Sequence, residues 1–233
     1  MRSIQFILVA VLLSFFISSP VYAIDFTYLN GTATSGYTQK GTPTNVIDRS
    51  ADLPTDVLNN IYSMLPESQY VNAAYIDDNL SSNIIVDDDF AGIMTANITF
   101  LNEGAGYRNA FGYFIYDPDN PPATFDDISE HVIIFPNSSK PAEGELIQGH
   151  SVDLNVQLIA GQAMGFFVIP NGWGWSGSYG HIESLGPWNQ PFYSLPHLNP
   201  ESSELQAHNV VFYDAVNDFF VFGFDDQNRT QGD

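Results

Sequence analysis

Six apolar residues recur at helical spacing in the first third of the chain: Leu53, Val57, Leu58, Ile61, Met64 and Leu65. Pro54 suits a first turn, Asp56 complements the positive end of the helix dipole, and Pro66 stops the run. One short N-terminal helix is therefore predicted over 54–65, its apolar stripe packing on a sheet. Downstream the period changes to two. Met94, Ala96, Ile98 and Phe100 alternate with Thr95, Asn97 and Thr99, and Val152, Leu154, Val156 and Leu158 alternate with Asp153, Asn155 and Gln157, the pattern of half-buried strands. Phe111–Tyr116 ends at the turn cluster Asp117–Pro122, and His131–Phe135 stops at Pro136-Asn137. Met164–Ile169 is continuously apolar and reads as a central strand, while 210–213 and 219–224 predict a hairpin. Many short strands at this spacing predict an all-β fold, an antiparallel β-sandwich or jelly-roll-like body. One stretch, 171–203, follows neither period. It holds all three tryptophans among Gly, Pro and Ser, and a loop of that length in a compact domain is usually functional.

The first residues read as a targeting segment. Arg2 precedes the apolar run Ile4–Ile17, Ser18-Ser19-Pro20 breaks it, and Val21-Tyr22-Ala23 has the small-x-small form of a cleavage site. A signal peptide over 1–23 is predicted, since the run is short against the roughly 20 residues of a bilayer span. The expected destination is secreted, periplasmic or cell-surface, with no membrane insertion after cleavage. An extended leader over 24–50, a helix-containing segment over 51–89 and a β-sandwich domain over 90–233 complete the predicted organisation.

Charge narrows the partners. With 27 acidic residues against six basic ones the formal charge is −21, which repels nucleic acid and anionic lipid. Such self-repulsion is relieved either by a saline habitat or by bound divalent cations, and calcium is the sharper of the two readings. There is no cysteine, so an exported chain must rely on its core, for which 44% hydrophobic and 14% aromatic residues supply the material.

Several pieces in fixed order carry a resemblance. They are Glu103-Gly104-Ala105-Gly106-Tyr107-Arg108-Asn109, Phe111-Gly112-Tyr113, Gly144–Val152, Ala160–Phe167, Asn171-Gly172-Trp173, Phe192-Tyr193-Ser194, Leu198-Asn199-Pro200 and Phe222-Gly223-Phe224-Asp225-Asp226. Over about residues 90–233 they resemble the bacterial domain of unknown function 4114. The resemblance implies an extracellular β-rich module of large surface proteins, with acidic residues near its end that have raised the idea of enzymatic activity. It also implies Phe-Glu-Asp where this chain has Phe224-Asp225-Asp226, then an Asp-rich segment and a last strand. The chain ends at Asp233, so a fragment or a shortened protein is expected, with an unpaired sheet edge.

Four chemistries have candidates. Hard cations take several oxygen ligands, and Asp225, Asp226, Asn228 and Asp233 cluster after a predicted strand, making them the metal candidates for calcium; Gln231 occupies the glycine position of an EF-hand, so that motif is excluded. Flat aromatic faces stack on sugars, and Trp173, Trp175, Tyr179 and Trp188 could form a ligand platform for a glycan or cell-surface component. Of these, Trp175 and Trp188 are the better candidates for exposure and Trp173 for a structural role. Paired acids for glycoside hydrolysis are available in Glu103, Glu183, Asp214, Asp225 and Asp226, but in so acidic a chain accidental pairs are common. Near-misses to G-x-S-x-G around Ser176 lack the strand-turn-helix setting, and the five histidines show no zinc spacing. The favoured reading is a secreted calcium-binding module with a structural or adhesive role, ahead of a carbohydrate-binding module and, last, a hydrolase.

Overall fold

The longest apolar run becomes the middle of the molecule. In the computed structural model, residues 24–55, 59, 82–104, 106–214 and 219–227 are described. They form β1 (Phe26–Tyr28), β2 (Ile47–Asp48), β3 (Ile84–Ile85), β4 (Asn97–Thr99), β5 (Ala110–Tyr116), β6 (His131–Phe135) and β7 (His150–Asp153). The remainder are β8 (Ala163–Ile169), β9 (Trp173–Ser176), β10 (Tyr179–Ile182), β11 (Phe192–Tyr193), β12 (Asn209–Asp214) and β13 (Phe219–Phe224). The main sheet has the order β1-β6-β5-β8-β11, with β3 also pairing to β8. A second sheet has the order β2-β7-β4, and β9–β10 and β12–β13 are separate hairpins. Strand pairing is antiparallel throughout except that β1 joins β6 in parallel. The all-β expectation holds; the predicted helix over 54–65 lies almost wholly outside the described residues.

All seven residues of β8 are buried, because both faces of the main sheet are covered. On one face Tyr113, Val132, Ile134, Met164 and Phe166 meet Phe100, Val152, Leu154 and Leu158 from the β2-β7-β4 side, and this is the sheet-on-sheet core. The alternation read at 94–100 and 150–158 places those residues, and hydrogen bonds from Phe100 N to His150 O, Leu154 N to Ala96 O and Leu158 N to Met94 O run the pairing beyond the named strands. Phe222 and Phe224 of β13 pack on the same face, with Phe222 4.9 Å from Phe166 and Phe224 5.7 Å from Phe111. On the other face Phe114, Ile133, Phe167 and Ile169 lie against Tyr193 of β11 and Leu195 and Leu198 of the irregular chain that follows it.

The second face interlocks by omission. Gly112 pairs with Phe167 and Phe114 pairs with Gly165 across β5 and β8. A Cβ on Gly165 would enter the Phe114 ring, and one on Gly112 would meet both the Phe167 ring and the Val132 carbonyl. Each ring thus covers the neighbouring strand's glycine, recovering apolar contact that glycine alone cannot make. His131 sits in the same nest, its ring 5.4 Å from Phe167 and 5.8 Å from Tyr193, with Nε2 3.1 Å from the Tyr193 hydroxyl.

The segment 24–50 supplies an edge strand to each sheet, β1 to β6 and β2 to β7. Tyr37 pins it, buried and donating its hydroxyl to Ile133 O at 3.2 Å. Burial holds the Tyr37 phenol up at about 12. The aromatic stretch that follows neither period, 171–203, contains β9, β10 and β11, strands too short for a period to show.

Two outcomes follow. Gly165→Ala should cost about 1–3 kcal/mol by overpacking, and combining it with Phe114→Leu, which clears the ring, should cost less than the two singles summed, as read by urea denaturation. Burial holds the His131 imidazole down at about 4 against an ordinary 6.5. The unfolded chain therefore binds a proton that the folded chain refuses between those values. The stabilisation is full above pH 6.5 and lost as pH falls toward 4, by up to about 3 kcal/mol. Denaturation midpoints at pH 7 and pH 4.5 should show His131→Phe with the shallower loss.

Candidate functional site

The four candidate aromatics fall into different environments. Trp173 opens β9 fully buried, donates its indole N–H to Gln39 O at 3.1 Å, and accepts the bare backbone of Gly180 against its ring. Its role is packing, which is why the neighbouring sequence is rich in glycine. Trp175 is partly buried beneath the Arg108 guanidinium, which lies 4.5 Å from the ring centroid in a cation–π contact. Tyr179 is 61% exposed on the facing strand, and Trp188 is 82% exposed in the loop between β10 and β11. That loop is fixed by Asn189, whose Oδ1 accepts from Gly186 N at 2.6 Å and whose Nδ2 donates to Ser184 O at 3.1 Å. The rings do not form one platform.

The acidic candidates separate by strand parity. Phe222, Phe224 and Asp226 lie on the same side of β13 and its continuation, the side that docks on the main sheet. Docking the two rings carries Asp226 to the start of β5, where its Oδ2 accepts from Asn109 Nδ2 at 2.6 Å. Asp225 has the opposite parity. Its backbone N–H donates to His208 O at 2.8 Å and its Oδ1 accepts from Gln227 N at 3.0 Å, closing a local turn. Asn228 and Asp233 lie outside the described residues. Among the described residues no three His, Asp or Glu side chains converge as a metal site.

Asn109 is a hub that the sequence reading did not single out as a site residue, although it closes the first quoted motif. It is 6% exposed; its Oδ1 accepts from Asn171 N at 2.9 Å and its carbonyl accepts from Ser138 N and Ser138 Oγ, each at 2.7 Å. Its Nδ2 thus ties the Asp226 carboxylate to a side chain that is itself bonded to Asn171 and, through its backbone carbonyl, to Ser138.

One surface groove brings the two candidate sets together. It measures about 100 Å³ and is walled by Tyr107, Trp188 and Phe192 with three prolines, while Asp226, Gln190 and Gln227 supply its polar groups. Its floor is rigid. Phe192 stacks on His208 with centroids 3.9 Å apart and planes 12° from parallel. Behind it His208 Nε2 lies 3.1 Å from Glu201 Oε1, with both side chains fully buried and the contact not aligned as a hydrogen bond. Asn199 shapes the loop that delivers Glu201, receiving Tyr193 N at 2.7 Å and donating to the carbonyls of Tyr193 and Gln206.

A larger space of about 490 Å³ lies beside the 117–123 turn. Its carboxylates serve their own turns: Asp117 Oδ1 accepts from Asp119 N, and Asp127 Oδ2 accepts from Thr124 N and Oγ1. The aromatic groove is therefore the better ligand site.

The class defined by the fold is an all-β domain, and it carries a shallow aromatic-walled groove. Residues 158–233 match the model of the family described as Domain of unknown function (DUF4114). That match bears out the resemblance over β8 to the end of the chain, and includes Trp188, Phe192 and Asp226; the motifs upstream of Leu158 lie outside it. No curated protein and no solved structure matches the chain significantly. Among the described residues no helix is long and apolar enough to cross a membrane.

Proposed function

We propose that this protein is an exported β-sandwich binding module that holds a carbohydrate in the groove between Trp188, Tyr107 and Phe192. The observation that carries this reading is the convergence of the most exposed tryptophan with a fixed carboxylate, Asp226, in one depression. A sugar ring has apolar faces and a polar rim, and the groove offers aromatic walls with a carboxylate and two amides. Its small volume suits the engagement of one ring at the surface. Hydrolysis by paired acids needs two facing carboxyl groups, and among the described lining residues Asp226 alone is acidic, so binding is favoured over cleavage. Export rests on the leader over 1–23.

Calcium is a second reading, supported by the charge of −21 and by the acidic stretch in sequence that follows β13, Asp225 and Asp226 with Asn228 and Asp233. Such an ion would brace the chain beside the groove and serve a structural or adhesive role.

Trp188→Ala should weaken glycan binding about tenfold or more, as expected for a central aromatic contact, with an unchanged melting temperature because the ring is exposed. A wild-type chain that retains no member of a broad glycan array in the presence of calcium would overturn the carbohydrate reading. For calcium, millimolar ion against excess chelator should raise the melting temperature, since a ligand of the folded state alone stabilises it. Superimposable melts would remove that proposal.

A further inference from the structure

Resting on the carbohydrate reading, we infer that the ligand is an extended glycan rather than a single sugar: the site continues from the groove past Tyr107 to a second station, the Arg108 guanidinium held on Trp175. Tyr107 walls the groove, and the next residue carries the guanidinium that lies 4.5 Å from the Trp175 ring centroid. Consecutive Cα atoms are about 3.8 Å apart, so the second station begins where the groove wall ends. Main-chain bonds hold this junction. Ser139 Oγ donates to Tyr107 O at 2.9 Å, and Trp173 N donates to Arg108 O at 3.1 Å, joining the start of β9 to the segment that leads into β5. Pro170, also a groove wall, stands just before β9 on the chain. The groove itself, at about 100 Å³, suits one ring, so the neighbouring units of a longer chain pass over its rim.

Arg108 is the group that gives those units something to meet. In a chain with 27 acidic residues, the ion pairs among the described residues are made by Arg49, His181 and His208. Arg108 is half-buried with its planar group laid on an indole, and no described residue accepts a hydrogen bond from that group. A guanidinium has five N–H donors and no acceptor. Stacking occupies its face and not its donor edge, so the ligand must present acceptor oxygens, as sugar hydroxyls and ring oxygens do. The indole holds the fork in one orientation beforehand, so less freedom is lost when a ligand binds. Trp175 thus serves as the support of Arg108 and not as a bare platform. Tyr179 takes no part: it pairs with Ser176 while Trp175 pairs with Gly180, and strand alternation sends the two rings to opposite faces of the β9–β10 hairpin. One chain touching both the groove and Arg108 gains from the second contact as a linked event.

The test titrates glucan, galactan and mannan oligosaccharides, from the monosaccharide to the hexasaccharide, into the full chain, by calorimetry and by ligand-observed NMR for the weak short members. On whichever backbone binds, the hexasaccharide should bind at least about tenfold tighter than the monosaccharide. Arg108→Gln removes the fork and leaves the groove residues in place. It should lower hexasaccharide affinity about fivefold or more and leave monosaccharide affinity unchanged. Arg108→Lys keeps the charge without the planar fork and should behave like Arg108→Gln, while Trp188→Ala weakens every length. Equal affinity at all lengths, or hexasaccharide binding unaltered in Arg108→Gln, overturns the second station and leaves the groove standing. Binding of no backbone at any length overturns the groove and the station together.

Discussion

Between β5 and β8 two phenylalanine rings lie over positions where the facing strand has no side chain. This exchange, Phe114 over Gly165 and Phe167 over Gly112, sets how closely the two central strands and the layer above them pack. It fixes register as well as density, since a one-residue slip would take Phe114 off Gly165 and Phe167 off Gly112 and turn the side chains of the slipped strand to the opposite face. The consequences reach the groove. Register at β5–β8 fixes where β5 begins, hence where Asn109 stands, and where β8 ends, hence where Asn171 N meets it. Phe166 on the other side of β8 receives Phe222, which brings β13 and with it Asp226 to the same corner. Pairing at the centre of the sheet thus determines the position of a surface carboxylate.

Elements whose burial repeats were legible. The strands at 111–116, 131–135, 164–169 and the closing hairpin follow from runs or alternation, because one or both faces of each are buried along their length. The stretch 171–203 was not legible as structure, for a physical reason. It is organised by single large groups rather than by repeating ones: Trp173 needs the bare backbone of Gly180, and Asn199 closes a loop through three hydrogen bonds. No period records such contacts. Trp173 and Trp188 sit in similar Gly- and Pro-containing neighbourhoods, yet one is wholly buried and the other almost free.

The site was half legible. Asp225 and Asp226 were treated as equivalent, although continuing the alternation Phe222, Phe224 through the end of β13 would have placed Asp226 toward the core and Asp225 away from it. That signal was present. Tyr107 and Asn109 stood within a quoted motif without a role, since their function depends on meeting residues about 80 and 117 positions downstream. Nothing in sequence pairs Glu201 with His208 across an irregular loop, and only the fold discloses that the ring of Phe192 rests on that contact.

Two buried histidines sit in contrasting environments. His131 is surrounded by aromatic rings and a tyrosine hydroxyl, with burial penalising its charged form, so it belongs to the apolar core. His208 is equally buried but lies against the Glu201 carboxylate beneath Phe192. The arrangement keeps the Glu201 carboxylate beneath the groove, while Asp226, carried to the wall at the end of β13, is bonded to Asn109. In a chain so rich in acids, the fold commits individual carboxylates to separate tasks, to turns at Asp117, Asp127 and Asp225, to a buried contact at Glu201 and to the Asn109 amide at Asp226.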